Sequence, residues 1–241
     1  MIKAGIDIGN SKISCVVADY KDEQNINILS LASRPTTNIK KNVILNYQGL
    51  LDQIESLIIE IEKQSQTKLN SINLNFPLLN SSSYYYDSEI KINDEKISEL
   101  HLKKIINKSE YFNNTPDKFE IFNNIISYNI DNNYYFTAPL GNYSDNIKIN
   151  FYKILVQKKY VENYTSIINK LKLNIENYVP SPLSSSLSCL TKDEKELGTI
   201  CIDLGHSTSS ISIFENNKFI FADTIGIGSN NVTLDIARGV S

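Results

Sequence analysis

The sequence predicts an α/β fold of two similar halves, with a small α+β subdomain inserted into the first half. Three observations support this fold class. Apolar, β-branched segments typical of strands open the chain, and an amphipathic helix and a further strand follow them. A stretch rich in Ser, Asn and Tyr then interrupts this pattern. The strand–turn–strand motif from the start of the chain recurs near its end, which indicates a duplicated unit.

The composition excludes several classes of protein. The chain has 241 residues, of which 41% are hydrophobic, so it can bury a core. Its net charge of −3 and the lack of a basic stripe disfavour nucleic acid as a partner. No apolar run reaches the ~18 residues of a membrane span, and the N-terminus lacks the apolar core of a signal peptide. Three cysteines without metal-ligand spacing fit reduced thiols in a cytoplasmic protein.

Residues 1–78 form the first part of the first predicted domain. Predicted strands in this part are "KAGIDI", "KISCVVADY", "NINILSLASR" and "LNSINLNF". The segment "YQGLLDQIESLIIEIEKQSQ" predicts a helix, because its apolar residues recur at helical spacing. That apolar face consists of Leu50, Leu51, Ile54, Leu57, Ile58 and Ile61.

Residues 79–156 are predicted to form the inserted subdomain. Its strands include "SEIKI" and "KINFYKILVQ", and a helix is expected near "DEKISELHLKKIINK". The density of Asn and Ser resembles low complexity. Aromatic and β-branched residues are too frequent for disorder, however, so a folded unit is expected.

Residues 157–195 complete the first domain, and residues 196–241 begin the second. The segment "KKYVENYTSIINKLKL" predicts a helix, and a connecting helix follows in which Ser181 is the expected N-cap and Pro182 the first helical residue. Leu183, Leu187 and Leu190 would share one side of that helix. Three strands come next, "TICIDLG", "SSISIFE" and "KFIFADTIG", with a hairpin turn at residues 216–217. The last segment, "NVTLDIARGVS", starts like a helix.

The repeated motif aligns "AGIDIGNSKISCVVAD" with "TICIDLGHSTSSISIFE". It pairs Asp7 with Asp203, Gly9 with Gly205 and Ser11 with Ser207. A single turn of this kind is more often an ordinary hairpin than a phosphate site. The matching acids in both halves favour the phosphate site, because turn propensity alone does not predict them.

The chemistry of such a turn suits an anion. A tight glycine turn exposes successive backbone N–H groups, and hydroxyl side chains add further donors. An aspartate at the end of the strand can hold hydrated Mg²⁺ beside a phosphate. Both glycine turns lead into a strand, unlike the Walker and Rossmann loops, which lead into a helix.

The ordered motifs resemble the actin, sugar-kinase and heat-shock-70 ATPase superfamily, and within it the bacterial cell-division family FtsA. "GIDIGNSKISCVVAD" resembles the family's first phosphate loop, and "LSLASRPTTNIKKNVILN" the strand and segment that follow it. "VPSPLSSSLSCLTKDEKELGTICIDLGHSTSSISIF" resembles the connecting helix and second loop, and "TIGIGSNNVTLDIARG" resembles "PIGGDQVTNDIAxG". The insertion lies where that family carries its own extra subdomain, known as SHS2.

The resemblance implies two actin-like, ribonuclease-H-like domains that bind ATP and Mg²⁺ between them. The implied metal residues are Asp7 and Asp203, acting through water. The implied nucleotide residues are Gly9, Asn10, Ser11, Lys12, Gly205, His206, Ser207, Thr208 and Gly228. The resemblance also implies a division role at the cytoplasmic face of the inner membrane, with self-polymerisation through the insertion.

Further implied partners depend on segments expected downstream of Ser241. These are a subdomain for the tubulin-like FtsZ and a C-terminal amphipathic helix for the membrane. The chain is therefore expected to be an N-terminal portion with an incomplete second half. An exposed apolar edge is expected where the absent subdomain would pack.

Departures from the family pattern concern the second loop and hydrolysis. His206 and Ser207 stand where the family has glycines, and Ser210 replaces its last aspartate. His206 either contacts phosphate or covers the turn. Ser181 replaces the acid that helps position the attacking water, and a serine cannot act as a carboxylate base, so at most weak ATPase activity is expected.

Three alternatives remain open from the sequence. The first is the FtsA-like actin homologue of type IV pilus assembly, the second is a small-molecule kinase of the same superfamily, and the third is a degenerate protein that no longer hydrolyses ATP.

Overall fold

A computed structural model describes residues 1–22, 25–110 and 116–240. The described chain forms three main sheets and six helices. The elements, in chain order, are β1 (Ile2–Ile8), β2 (Lys12–Asp22), β3 (Asn25–Pro35), β4 (Ile39–Lys40), β5 (Val43–Ile44), α1 (Tyr47–Ser65), β6 (Ser71–Phe76), β7 (Ser82–Lys96), α2 (Glu99–Glu110), β8 (Lys118–Ile130), β9 (Asn133–Tyr135), β10 (Tyr143–Gln157), α3 (Lys158–Lys170), β11 (Asn174–Pro180), α4 (Ser181–Cys189), α5 (Lys192–Leu197), β12 (Thr199–Leu204), β13 (Ser209–Glu215), β14 (Lys218–Ile225) and α6 (Ser229–Gly239). Among the described residues no helix is long and apolar enough to cross a membrane.

The first sheet has five strands in the order β11-β6-β1-β2-β3. Strands β1, β2 and β3 pair antiparallel, whereas β6 runs parallel to β1 and β11 parallel to β6. Helix α1 buries five of the six residues of its predicted apolar face, and Leu51 packs against the core while partly exposed. Helix α3 buries Val161, Tyr164, Ile167 and Ile168. Burial of these faces is the main force that fixes both helices on the sheet.

The second sheet contains β7-β10-β8-β9, all drawn from the middle of the chain. Helix α2 packs on it, and a separate apolar cluster forms between them. The other side of β8 and β10 joins the main core through Ile121, Tyr152, Ile154 and Val156. The insertion is therefore packed tightly against the rest of the chain.

The third sheet has the order β12-β13-β14. The predicted turn at Asn216 and Asn217 is confirmed, because both residues have positive φ and the strands pair directly on either side of it. Asparagine tolerates this left-handed conformation better than most residues. Strand β12 exposes an apolar row, Ile200, Ile202 and Leu204, each more than half exposed, and α6 buries none of its residues.

The connecting helix α4 differs from the prediction in two ways. Pro180 is its N-cap and Ser181 its first residue, and no side chain caps the helix. The predicted leucine side is also only partly buried, because Leu183 and Leu190 pack against the main core while Leu187 is 52% exposed, and the fully buried residues of the helix are Pro182 and Ser186. The buried Ser186 hydroxyl is hydrogen-bonded to the buried Ser212 hydroxyl, which satisfies both polar groups. No element is predicted from the sequence at β11 or at α5, although Thr191 and Glu194 form a capping box, which is a sequence signal for the start of a helix.

Tyrosines of the insertion bind the edge of β14. The buried Tyr152 hydroxyl accepts from the Ala222 N–H at 2.8 Å and donates to the Ala222 carbonyl at 3.3 Å. The half-exposed Tyr85 hydroxyl donates to the Ile220 carbonyl at 2.8 Å. These bonds satisfy backbone groups at a sheet edge that lacks a further strand.

We expect Tyr152→Phe to destabilise the chain by about 1–3 kcal/mol, because it leaves a buried N–H and carbonyl of β14 unpaired. Urea unfolding measures this change. Tyr85→Phe is the matched control and should cost less, because its hydroxyl is accessible to water. An equal loss of unfolding free energy in the two variants would contradict the importance of the buried Tyr152 hydrogen bonds.

Candidate functional site

The repeated sequence motif forms two equivalent hairpins. In the β1–β2 hairpin Asp7 pairs with Ser14, and in the β12–β13 hairpin Asp203 pairs with Ser210. The first turn closes with a hydrogen bond from the Gly9 N–H to the Lys12 carbonyl at 3.0 Å. The duplication predicted from the sequence is therefore present in the strand register itself.

Both turns need glycine for space. A Cβ at Gly9 would lie 3.0 Å from the Lys12 carbonyl oxygen, and one at Gly205 would lie 2.8 Å from the Thr208 carbonyl oxygen. Neither glycine has the positive φ that a side chain would find strained. The requirement is close backbone approach at the same point of each turn, as a phosphate-binding loop needs.

The two hairpins face each other across a cleft of about 290 Å³. The structure brings most of the predicted site residues to its wall, and these are Asp7, Gly9, Asn10, Ser11, Lys12, Ser181, Asp203, Gly205, His206 and Thr208. Ser210 and Thr224 also line the cleft, and the Thr224 hydroxyl oxygen is buried there without a hydrogen-bond partner among the described residues. Ser207 and Gly228 do not line it.

Gly228 instead packs against the backbone of the second turn and supports it. A Cβ at this position would lie 2.6 Å from the Gly205 and His206 carbonyl oxygens. The next two N–H groups, of Ser229 and Asn230, donate to these carbonyls at 2.9 Å each. Gly228 was predicted as a nucleotide contact; in the structure it packs closely against the loop backbone and does not line the cleft.

The Asp7 carboxylate is held by a short chain of hydrogen bonds. Asn75 Nδ2 donates to Asp7 Oδ1 at 2.7 Å, and Ser184 Oγ donates to Asn75 Oδ1 at 2.8 Å. Burial raises the pKa of Asp7 above its ordinary value, Asn75 and Lys12 partly offset this rise, and Asp203 adds to it. Asp203 thus acts on Asp7 from the opposite hairpin, whereas Lys12 acts from the same hairpin.

The Asp203 carboxylate is held by Ser185, the residue that follows Ser184 in helix α4. Ser185 Oγ donates to Asp203 Oδ2 at 2.6 Å. Helix α4 therefore contacts both acids, Asp203 directly and Asp7 through Asn75. In the part of the chain that the structure describes, the second oxygen of each carboxylate accepts no hydrogen bond.

A further contact fixes the first turn. Asn10 Nδ2 donates to Asn42 Oδ1 at 2.9 Å, and the Asn42 N–H donates to Asn10 Oδ1 at 2.9 Å. Asn42 has a φ of 63°, and its carbonyl accepts from the buried Tyr164 hydroxyl at 3.3 Å. Sequence reasoning missed Asn42, Asn75 and the serine pair of α4. The available signals were the polar positions inside the strand "SINLNF" and the serine run "SSS".

The oxygen donors of the cleft suit a magnesium ion that is bound to the protein through water. Within the described ranges no group of three or more His, Cys, Asp or Glu side chains could hold a metal ion. Mg²⁺ commonly binds through one or two carboxylates, several waters and the phosphates of its ligand. Asp7 and Asp203, each with one oxygen left for a water, match that mode.

Comparisons with sequences point to one family. The family model for cell division protein FtsA matches residues 200–241. The cell division protein FtsA of Agrobacterium fabrum is 25% identical over 246 residues, covering 98% of this chain and 56% of the relative. FtsA of Neisseria meningitidis is 23% identical over 98% of this chain, and FtsA of Escherichia coli K12 is 21% identical over 97%. The chain spans little more than half the length of these relatives.

Solved structures confirm the fold. A PilM-PilN type IV pilus biogenesis complex superposes with a TM-score of 0.64 at 14% identity, covering 98% of this chain and 65% of that one. The ethanolamine utilization protein EutJ of Carboxydothermus hydrogenoformans gives a TM-score of 0.56 at 13% identity, covering 100% and 57%. At these identities the likeness concerns the fold alone. By sequence the chain is similar to FtsA cell-division proteins, and its fold is that of actin-like proteins.

Proposed function

We propose that the cleft binds ATP with Mg²⁺. The observation that supports this proposal is the pair of equivalent glycine hairpins, each with an aspartate at its strand end, that face each other across one cleft. An anion between them would meet backbone N–H groups from both sides. The two carboxylates would otherwise repel, which a bound cation relieves.

Each part of the cleft has its own task in this proposal. The first turn, fixed by Asn42, would offer N–H groups and the Ser11 hydroxyl to the phosphates, and Lys12 would neutralise part of their charge. The second turn, supported by Gly228, would offer its N–H groups and the Thr208 hydroxyl to the phosphates from the other side of the cleft. When bound, Mg²⁺ would neutralise the phosphate charge. Asp7 and Asp203 would hold its waters.

Slow hydrolysis follows from the residues that line the cleft. The described lining includes two carboxylates, Asp7 and Asp203, and no other. Both are assigned to the metal. Ser181 stands at the start of α4 where the family has an acid, and its hydroxyl cannot take a proton from water as a base does. We infer that ATP acts mainly as a structural ligand that holds the two halves together.

We further propose a division role, in which the whole protein polymerises through the inserted subdomain and links FtsZ to the inner membrane. The sequence relatives support this role, since they are division proteins and cover nearly all of the chain. The likeness to the pilus complex gives less support to a pilus role, because it rests on the fold alone.

We expect the chain to bind Mg²⁺–ATP measurably in calorimetry, and Asp203→Ala to weaken this binding by about tenfold or more, a loss of about 1.4 kcal/mol. Asp235→Ala is the matched control. Asp235 is a largely exposed acid on α6, outside the cleft. Chelation of magnesium should weaken binding by the unaltered chain but change the Asp203→Ala variant little. Equal affinity of both variants would remove Asp203 from the site.

The division role is tested by sedimentation of a full-length form with FtsZ polymers and with vesicles that contain anionic lipid. Co-sedimentation with both, strengthened by Mg²⁺–ATP, is the expected result. A form that binds nucleotide but sediments with neither would leave the cleft assignment intact and overturn the division role.

A further inference from the structure

Two cysteine thiols meet between the connecting helix and the third sheet. Cys189 Sγ at the end of α4 lies 3.8 Å from Cys201 Sγ in β12. Cys189 is exposed and Cys201 is partly buried, so solvent reaches the pair from the Cys189 side. The third cysteine, Cys15, is buried in the first sheet.

The thiol contact lies next to the Ser185–Asp203 hydrogen bond between α4 and β12. Ser185 and Cys189 are one helical turn apart, about 6 Å along α4. Asp203 and Cys201 are two residues apart on the same face of β12, about 6.6 Å along the strand. The Ser185–Asp203 hydrogen bond and the Cys189–Cys201 contact are therefore successive links between the same two elements. This matched spacing keeps the sulfurs close whenever the serine contact is formed.

We propose that Cys189 and Cys201 form a reversible disulfide when the chain meets a peroxide, and that this bond fixes α4 to β12. The sulfurs need to approach by less than about 2 Å to reach the bond length of a disulfide. Cys189 Sγ also contacts the Ser185 and Ser186 carbonyls at 3.2 and 3.6 Å. These weak contacts are lost as the side chain turns to its partner.

The reaction balances with peroxide as the oxidant. The Cys189 thiolate attacks one peroxide oxygen, the O–O bond breaks, and the departing hydroxide takes a proton to become water. The Cys201 thiolate then attacks the sulfur of the resulting sulfenic acid, the S–O bond breaks, and the departing hydroxide takes up the proton released by the Cys201 thiol to leave as a second water. Two thiols and one peroxide thus give one disulfide and two waters, and the sulfurs supply both electrons.

The buried Cys15 provides an internal control for the oxidation. Burial raises the pKa of Cys15 to about 12, so its thiolate is scarce and protected from the oxidant. Desolvation and the neighbouring Cys201 thiol also raise the pKa of Cys189, so its thiolate is a minor species, but unlike Cys15 it is exposed and the oxidant can reach it. Oxidation should therefore consume two of the three thiols and leave Cys15.

Intact-mass analysis of the 241-residue chain after hydrogen peroxide treatment tests the proposal. The expected product is a monomer lighter by about 2 Da, which a reducing thiol reverses. Peptide mapping should join Cys189 to Cys201, and the thermal midpoint should rise in the oxidised form. Cys189→Ser and Cys201→Ser should each stop at a sulfenic acid that dimedone traps.

Three results would overturn the proposal: no mass loss in the unaltered chain, a disulfide-linked dimer as the main product, or a mass loss that persists in Cys189→Ser. Cys189 is exposed, so Cys189→Ser should fold even if Cys201→Ser does not. The mass readout needs no nucleotide. Its failure is therefore distinguishable from a failure of ATP binding.

Discussion

Gly228→Ala should disrupt the second turn and weaken Mg²⁺–ATP binding by about tenfold or more. The added Cβ would lie 2.6 Å from two carbonyl oxygens and a carbonyl carbon of Gly205 and His206. All of these are backbone atoms, so no flexible side chain can move away to make room. Overpacking of this kind costs about 1–3 kcal/mol. This destabilisation would act on the second turn, which faces the cleft. Calorimetry with Mg²⁺–ATP and thermal unfolding measure the two effects.

Gly239→Ala is the matched control for this substitution. Gly239 ends the helix that Gly228 precedes, and a Cβ there would meet no atom within 4 Å. Alanine is also the better helix former, so stability should stay the same or rise slightly. If Gly228→Ala bound nucleotide like Gly239→Ala, the support assigned to Gly228 would be wrong.

Asp7→Asn should have opposite effects on stability and on ligand binding. The Asp7 carboxylate is buried and lies near Asp203, and both effects raise its pKa above the ordinary value of 3.8. An amide removes the charge but keeps the oxygen that accepts from Asn75. We expect the ligand-free variant to melt higher at neutral pH, by about 2–4 °C per kcal/mol gained. It should also lose most Mg²⁺-dependent ATP binding.

The sign of the pH dependence follows from the raised pKa. Below pH 3.8 Asp7 is protonated in both the folded and the unfolded chain, so the substitution changes little. As the pH rises through the folded pKa, the unfolded state releases the proton more readily, and the unaltered chain loses stability. The advantage of Asp7→Asn should therefore appear above pH 3.8 and level off at neutral pH. Thermal unfolding across this range measures it.

Asp19→Asn serves as a control of opposite sign. Its carboxylate accepts from the N-terminal ammonium at 2.8 Å, and this partner lowers the pKa of Asp19. Stability from that contact is present above the ordinary pKa and is lost as the pH falls through the lowered one. Asp19→Asn should therefore be neutral or slightly destabilising at pH 7. An Asp7→Asn variant that also lost stability there would contradict the desolvation argument.

The sequence by itself determined the α/β architecture and the two equivalent glycine turns. Helical spacing identified the buried face of α1, the dipeptide at 216–217 identified a turn with positive φ, and the duplicated motif placed Asp7 and Asp203 at equivalent strand ends. These features are local, because they depend on periodicity and on the backbone freedom of single residues.

Only the tertiary structure decided how the two acids are held. Asn75 lies 68 residues from Asp7 in the sequence, and Ser184 lies 109 residues from its partner Asn75, and no spacing rule signals such contacts. The leucines of α4 suggested an apolar side, and Leu183 does pack against the core, yet the helix also buries Ser186, whose hydroxyl is hydrogen-bonded to that of Ser212. Gly228 likewise supports the loop and does not line the cleft. Side-chain partners of this kind are set by how whole elements pack, which the chain specifies only as a folded unit.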